Sequence, residues 1–127
     1  YYTAKRAIPA KNVCTVEVQI DDDLPRPHLE SKIEAPVTEC LKRGGLVESV
    51  LYLVSVGLPL RVIGKGGQGG DLASVDSELT LLYSKIQGKT YASNGWIANP
   101  FFRQKDAPFA HPRFPIYLVT RLDSYDK

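Results

Sequence analysis

The sequence is short of long apolar runs, of cysteine and of excess charge of either sign, and each shortage excludes a class of protein. Its most apolar stretch without a charged residue runs only from Ser49 to Leu60 and is interrupted by a Gly and a Pro. A membrane-spanning helix needs about twenty apolar residues, so none is expected. Only two cysteines are present, Cys14 and Cys40. Secreted scaffolds that depend on disulfides are far denser in cysteine, and base rates favour two buried thiols in a reducing compartment. Sixteen Lys and Arg stand against fourteen Asp and Glu, a net charge of +2. That is far from the positive field a duplex-binding domain carries, so strong non-specific nucleic-acid binding is not expected. The chain begins Tyr1-Tyr2 with no charged-then-apolar leader, and any leader is expected to have been removed already, which leaves localisation unknown.

What is present is globular. The apolar fraction of 43% and charged fraction of 24% are ordinary for folded domains. A chain of 127 residues can bury roughly two thirds of the surface its unfolded form exposes, enough for one core. A single domain over residues 1–127 is expected, interrupted by a Gly-rich loop at 64–70 and a Pro/Phe-rich loop at 99–115.

Period-two alternation from Cys14 to Ile20 places Cys14, Val16, Val18 and Ile20 on one face and predicts a strand. Leu29, Ile33, Val37, Cys40 and Leu41 recur at helical spacing, with Pro36 predicting a kink or a fresh start near Ala35 and Gly44-Gly45 an end. The segment 46–54 fits a helical stripe slightly better than a buried strand. Strands are predicted at Leu60 to Ile63, at Glu78 to Ile86 from the alternation of Leu79, Leu81 and Tyr83, around Tyr91 and Trp96, and at Ile116 to Leu122. Together these predict an α+β fold, a mostly antiparallel sheet of four to six strands with two helices packed on one face.

Most chemical motifs fail. Gly64-Lys65 is followed by Gly66, not by the Ser or Thr of a phosphate loop, and no glycine triplet joins a strand to a helix with a later acidic residue. Neither Cys nor His has a partner at metal-ligand spacing, and Asp21 to Asp23 lack the alternation of a calcium loop, so neither metal nor cofactor is expected. His28 and His111 could form an acid–base pair in a secreted effector-like or RNase-like site, with Arg113 or Glu78 on a phosphate, but both lie in proline-flanked segments predicted as loops. Enzymatic activity is therefore not expected.

Two segments could bind. Gly64, Lys65, Gly66 and Gly67 are similar to the start of the Gly-x-x-Gly loop of KH domains, in which the backbone approaches single-stranded RNA, although the glycines that follow suit a flexible loop better. The stretch Asn99 to Pro115 holds every Phe of the chain (Phe101, Phe102, Phe109, Phe114), four prolines and the cations Arg103, Lys105 and Arg113 against Asp106. Long irregular loops are commonly functional. The functional reading takes Phe101, Phe102 and Phe109 as anchors and Arg103, Lys105 and Arg113 as cationic contacts to a protein partner or an anionic membrane surface. The alternative is that the rings fold back and cap the core.

In order, the strand at 12–20, the helix, the apolar 46–57 segment, the extended 77–89 segment, the long loop and the closing strand resemble the globular core of rhabdovirus matrix proteins. The pieces that carry the likeness are Asn12-Val13-Cys14-Thr15-Val16-Glu17-Val18 and Leu46 through Val54. The resemblance implies a non-enzymatic structural protein of the virion and of the inner face of the host membrane. Such a protein self-associates and condenses a ribonucleoprotein.

Overall fold

Proline and glycine punctuate the first half of the molecule. The structure is a computed structural model that describes residues 2–19, 21–64, 72–93 and 95–122. A helical turn α1 (Tyr2–Lys5) and a 3-10 turn (Ala10–Asn12) precede a short strand β1 (Asp23–Pro25). From Arg26 the chain is helical for about five turns in three registers: α2 (Arg26–Leu29), a π-helical turn (Glu30–Glu34) and α3 (Ala35–Arg43). Pro36 accounts for the middle register. It has no N–H and its ring would clash with a carbonyl one α-turn back, so the wider turn, closed by Ala35 N–H to the Glu30 carbonyl, delivers it into the first turn of α3 where proline is tolerated. The fresh start expected near Ala35 is this turn. Leu29, Ile33 and Leu41 are buried along one side. Gly45, at φ +65°, ends the helix, and Leu46 N–H reaches back to the Leu41 carbonyl at 2.8 Å.

The expected sheet does not form. Five strands make two small sheets among the described residues: β1, β3 (Arg61–Ile63) and β4 (Ala73–Ser74) in the order β1-β3-β4, and β2 (Tyr52–Val56) with β5 (Leu118–Leu122). Two of the three pairings, β1 with β3 and β2 with β5, are parallel. The domain is still α+β, but the antiparallel expectation rested on neighbours in sequence pairing as hairpins. Here helices or long crossovers separate the paired strands, and parallel pairing follows.

Three predicted elements, two taken as strand and one as helix, are also corrected. Glu78 to Ile86 is helical, as α4 (Val75–Thr80) and α5 (Leu82–Ile86). Ser74 caps α4 by accepting the Ser77 N–H at 3.0 Å, and Leu79, Leu82 and Tyr83 recur at helical spacing, so the alternation of Leu79, Leu81 and Tyr83 was only the coarser of two periods in the same residues. Residues 46–54 contain a turn and then the strand β2 rather than a helix, as their valine content allows. Around Tyr91 and Trp96 the chain is irregular.

The segment 13–19 is unpaired among the described residues, yet it keeps the predicted faces: Cys14, Val16 and Val18 are half-buried while Thr15, Glu17 and Gln19 are exposed. Ile20 lies outside the described residues. The two cysteines are not thiols but a disulfide, Cys14–Cys40, with Cα atoms 5.9 Å apart, and it ties this segment to α3. A bridge over 26 residues of separation contributes about 3 kcal/mol by restricting the unfolded chain.

The two-stranded sheet, α4 and the loop that leads from β2 to β3 meet at Arg121 on β5. Its guanidinium grips the Asp76 carboxylate at 2.8 and 3.2 Å and donates to the Leu58 and Pro59 carbonyls at 2.5 and 2.9 Å, while Ser55 Oγ donates to the same carboxylate at 3.0 Å. The core itself is Leu29, Ile33, Val62, Val75, Leu82 and Tyr117 with their neighbours, each buried aliphatic contributing about 1.5–3 kcal/mol.

Candidate functional site

The 99–115 loop is held by its own rings. Phe101 meets Phe109 and Phe114 edge-on at 5.1 and 4.8 Å between centroids, and Phe109 stacks on Phe114 at 5.9 Å. His111 lies flat on Tyr83 at 4.0 Å. Its Nδ1 is 3.1 Å from the Glu48 carbonyl and its Nε2 is 2.8 Å from the Ile116 carbonyl. Ser84 Oγ donates to the Pro115 carbonyl at 2.6 Å and closes the loop onto α5. Phe114 is buried at 4% exposure, whereas Phe101 and Phe109 are half-buried, so three of the four rings cap the core.

Phe102 differs, at 66% exposure. Beside it Arg103 takes φ +62°, a left-handed conformation uncommon for a residue with a Cβ, and its guanidinium carbon lies 5.2 Å from the Phe102 ring centre. Arg103, Lys105 and Arg113 converge with Gln104, Asp106 and Ala107 around one hollow of about 330 Å³. The loop thus gathers the three predicted cations while withdrawing two of the three predicted anchors.

The other candidates are not brought together. Gly64 is exposed at the end of β3, and Lys65, Gly66 and Gly67 lie outside the described residues. His28 is exposed on α2, far in the chain from the half-buried His111, and no hydrogen bond or ring contact joins them among the described residues. Nor do the described residues contain a cluster of three or more His, Cys, Asp or Glu suited to a metal ion.

The sequence reading missed a second site, a groove of about 740 Å³ between the helices and the irregular residues 89–93 and 95–100. Its floor is a charge quartet. Arg26 Nη1 donates to Glu78 Oε1 at 3.0 Å, and Lys85 Nζ donates to Glu78 Oε2 at 2.9 Å and to Glu34 Oε1 at 2.5 Å. Glu34 and Glu78 are 9% and 8% exposed. Burial works to lower the Lys85 pKa, but its bonds to both carboxylates and their charges outweigh that and hold the ammonium above the ordinary lysine range. Of the bonded pairs only Glu78 and Lys85 are near neighbours in the chain; Arg26 with Glu78 and Glu34 with Lys85 join residues 52 and 51 apart, so no local spacing shows the quartet. Trp96, the only tryptophan, stands at the groove's edge at 87% exposure.

Beneath the loop, Tyr83 is pushed up to about 12 by burial first, then by its 2.8 Å bond to Glu48 Oε2 and that residue's charge. Tyr117 is also pushed up to about 12, by burial and then by the charges of Glu48 and Tyr83.

Compared with known protein families, with curated proteins and with solved structures, the chain matches none. No helix of the described residues is long and apolar enough to cross a membrane.

Proposed function

We propose that the chain is an interaction protein that docks on an anionic membrane surface through the tip of its 99–115 loop. The observation that carries this reading is the convergence of Arg103, Lys105 and Arg113 on one hollow beside the exposed ring of Phe102. Each cation near an anionic leaflet contributes roughly 1 kcal/mol, and one buried aromatic ring adds burial of its own, so the two signals together give reversible docking where neither alone would hold. Phe101 and Phe109 are not anchors in this reading. They brace the tip from behind, and the left-handed backbone at Arg103 turns the guanidinium outward over Phe102.

Co-sedimentation tests it. The chain should pellet with vesicles containing phosphatidylserine and remain in solution with phosphatidylcholine alone, and the bound fraction should fall as salt is raised. Arg103→Glu with Lys105→Glu should reduce partitioning by more than tenfold, and Phe102→Ser by a few-fold. Equal binding to neutral and anionic vesicles, or binding indifferent to both variants with the fold intact by circular dichroism, would refute the assignment.

A further inference from the structure

We propose that the groove above the Arg26–Glu34–Glu78–Lys85 quartet is a binding site for an uncharged carbohydrate chain, with a sugar ring laid on the indole of Trp96. The site is separate from the loop tip and needs nothing from it.

Stability does not explain the floor. Burying charges costs several kcal/mol per ion, and a buried ion pair is seldom better than an apolar replacement of the same shape. Two carboxylates, almost fully enclosed, nevertheless lie at the base of this hollow with the partly buried Arg26 and Lys85, and all four residues line the groove. The arrangement makes chemical sense as a set of rigid hydrogen-bonding groups whose positions are fixed before any ligand arrives. Preorganised polar groups lose little on binding, which favours affinity.

The charge pattern selects the ligand. At the floor Arg26 and Lys85 are already committed to carboxylates, so a phosphate or carboxylate entering there would meet Glu34 and Glu78 at short range, and the rest of the lining adds one charge of each sign, Glu30 and Lys89. A cationic ligand would meet Arg26 and Lys85 in the same way. An uncharged ligand avoids both conflicts. Its groups must both donate to carboxylate oxygens and accept from guanidinium and ammonium N–H, and a hydroxyl does both. The hydroxyls of Ser74, Ser77 and Thr80 extend this mixed lining along the groove.

The rim supplies the second half. An indole at 87% exposure is an unusual expense of apolar surface, and large aromatic side chains of this kind act as flat platforms with one polar handle. A pyranose presents a flat C–H face and a circumference of hydroxyls, so the face suits Trp96 and the circumference suits the floor. Tyr91, half-buried on the same wall under the Lys89 ammonium at 4.9 Å, gives a second ring along the groove. At about 740 Å³ the space is within the range of ordinary ligand sites and is open enough for a chain rather than a single enclosed ring.

The test uses the whole chain, fluorescently labelled, on an array of neutral and anionic glycans, with hits titrated by the emission of Trp96, the only tryptophan. Saturable binding to neutral glycans, with Trp96→Ala lowering affinity at least tenfold, is expected. Because Trp96 touches the core little, this variant should fold, and circular dichroism checks it. Glu34→Gln, which keeps the shape but removes one floor charge, should weaken the same glycans without affecting vesicle binding. Absence of any neutral-glycan binding, tighter binding of tripolyphosphate than of every glycan, or full binding by Trp96→Ala each overturns the proposal. Loss of vesicle binding in Phe102→Ser bears only on the loop tip, so the two readings fail independently.

Discussion

Residues 96 to 114 carry five large aromatic rings within one proline-punctuated stretch, and they divide between two fates. Phe101, Phe109 and Phe114 pack on one another, and Phe109 meets His111, which lies between two backbone carbonyls and stacks on Tyr83. Trp96 and Phe102 stand in water. Both groups are large aromatic rings; what differs is where each is placed. The first three continue a ring cluster that reaches Tyr83 and Tyr117 through the contact of Phe109 with His111, while the other two are left outside it. Aromatic enrichment in a loop is therefore two statements at once, one about closing a core and one about what the exposed remainder contacts.

Substitution should separate the two groups sharply. Phe114→Ala should cost about 3–5 kcal/mol in urea denaturation, because it removes a buried ring and leaves a cavity between Phe101 and Phe109. A loss below about 1 kcal/mol, the scale of a surface change, would erase the distinction.

High pH should strain the floor beneath the buried group. Tyr83 and Tyr117 both have pKa values pushed to about 12 in the folded state, against about 10 for a free tyrosine. The folded protein keeps protons that the unfolded chain releases between these values. Stability from the two phenols is complete below about pH 10 and is lost as pH rises toward 12. Ultraviolet titration of phenolate should show two groups ionising late, together with alkaline unfolding. Ionisation of every tyrosine near pH 10 in a folded chain would contradict their enclosure.

The smallest effect is expected at the exposed rings. Phe102→Ser and Trp96→Ala should each change stability by no more than about 0.5 kcal/mol, as surface substitutions do, while altering binding. A large loss of stability in either would move that ring into the buried group.

The sequence shows the two groups of rings unequally, and the same is true of the fold. Leu29, Ile33 and Leu41, Pro36 and Gly44-Gly45 define the long helix because each acts within one or two turns. The closing strand is legible for the same local reason. Glu78 to Ile86 misleads because Leu79 and Tyr83 satisfy period two and period 3.6 alike, and the deciding signal, the Ser74 cap, sits outside the apolar run. The register of β2 with β5 and the quartet of residues 26, 34, 78 and 85 depend on contacts tens of residues apart, which no local pattern encodes. The cations of the loop could be named from the sequence; their convergence, and the withdrawal of Phe101 and Phe109, could not.

The Cys14–Cys40 bridge has a topological consequence. It makes the backbone from residue 14 to residue 40 a closed covalent ring, with the long helix on one side and the exposed Asp21-Asp22 bend on the other. Cutting a ring once does not divide it. A protease that opens the chain at that bend leaves both pieces joined through sulfur and still seated on the same core, and only a reductant releases the N-terminal piece.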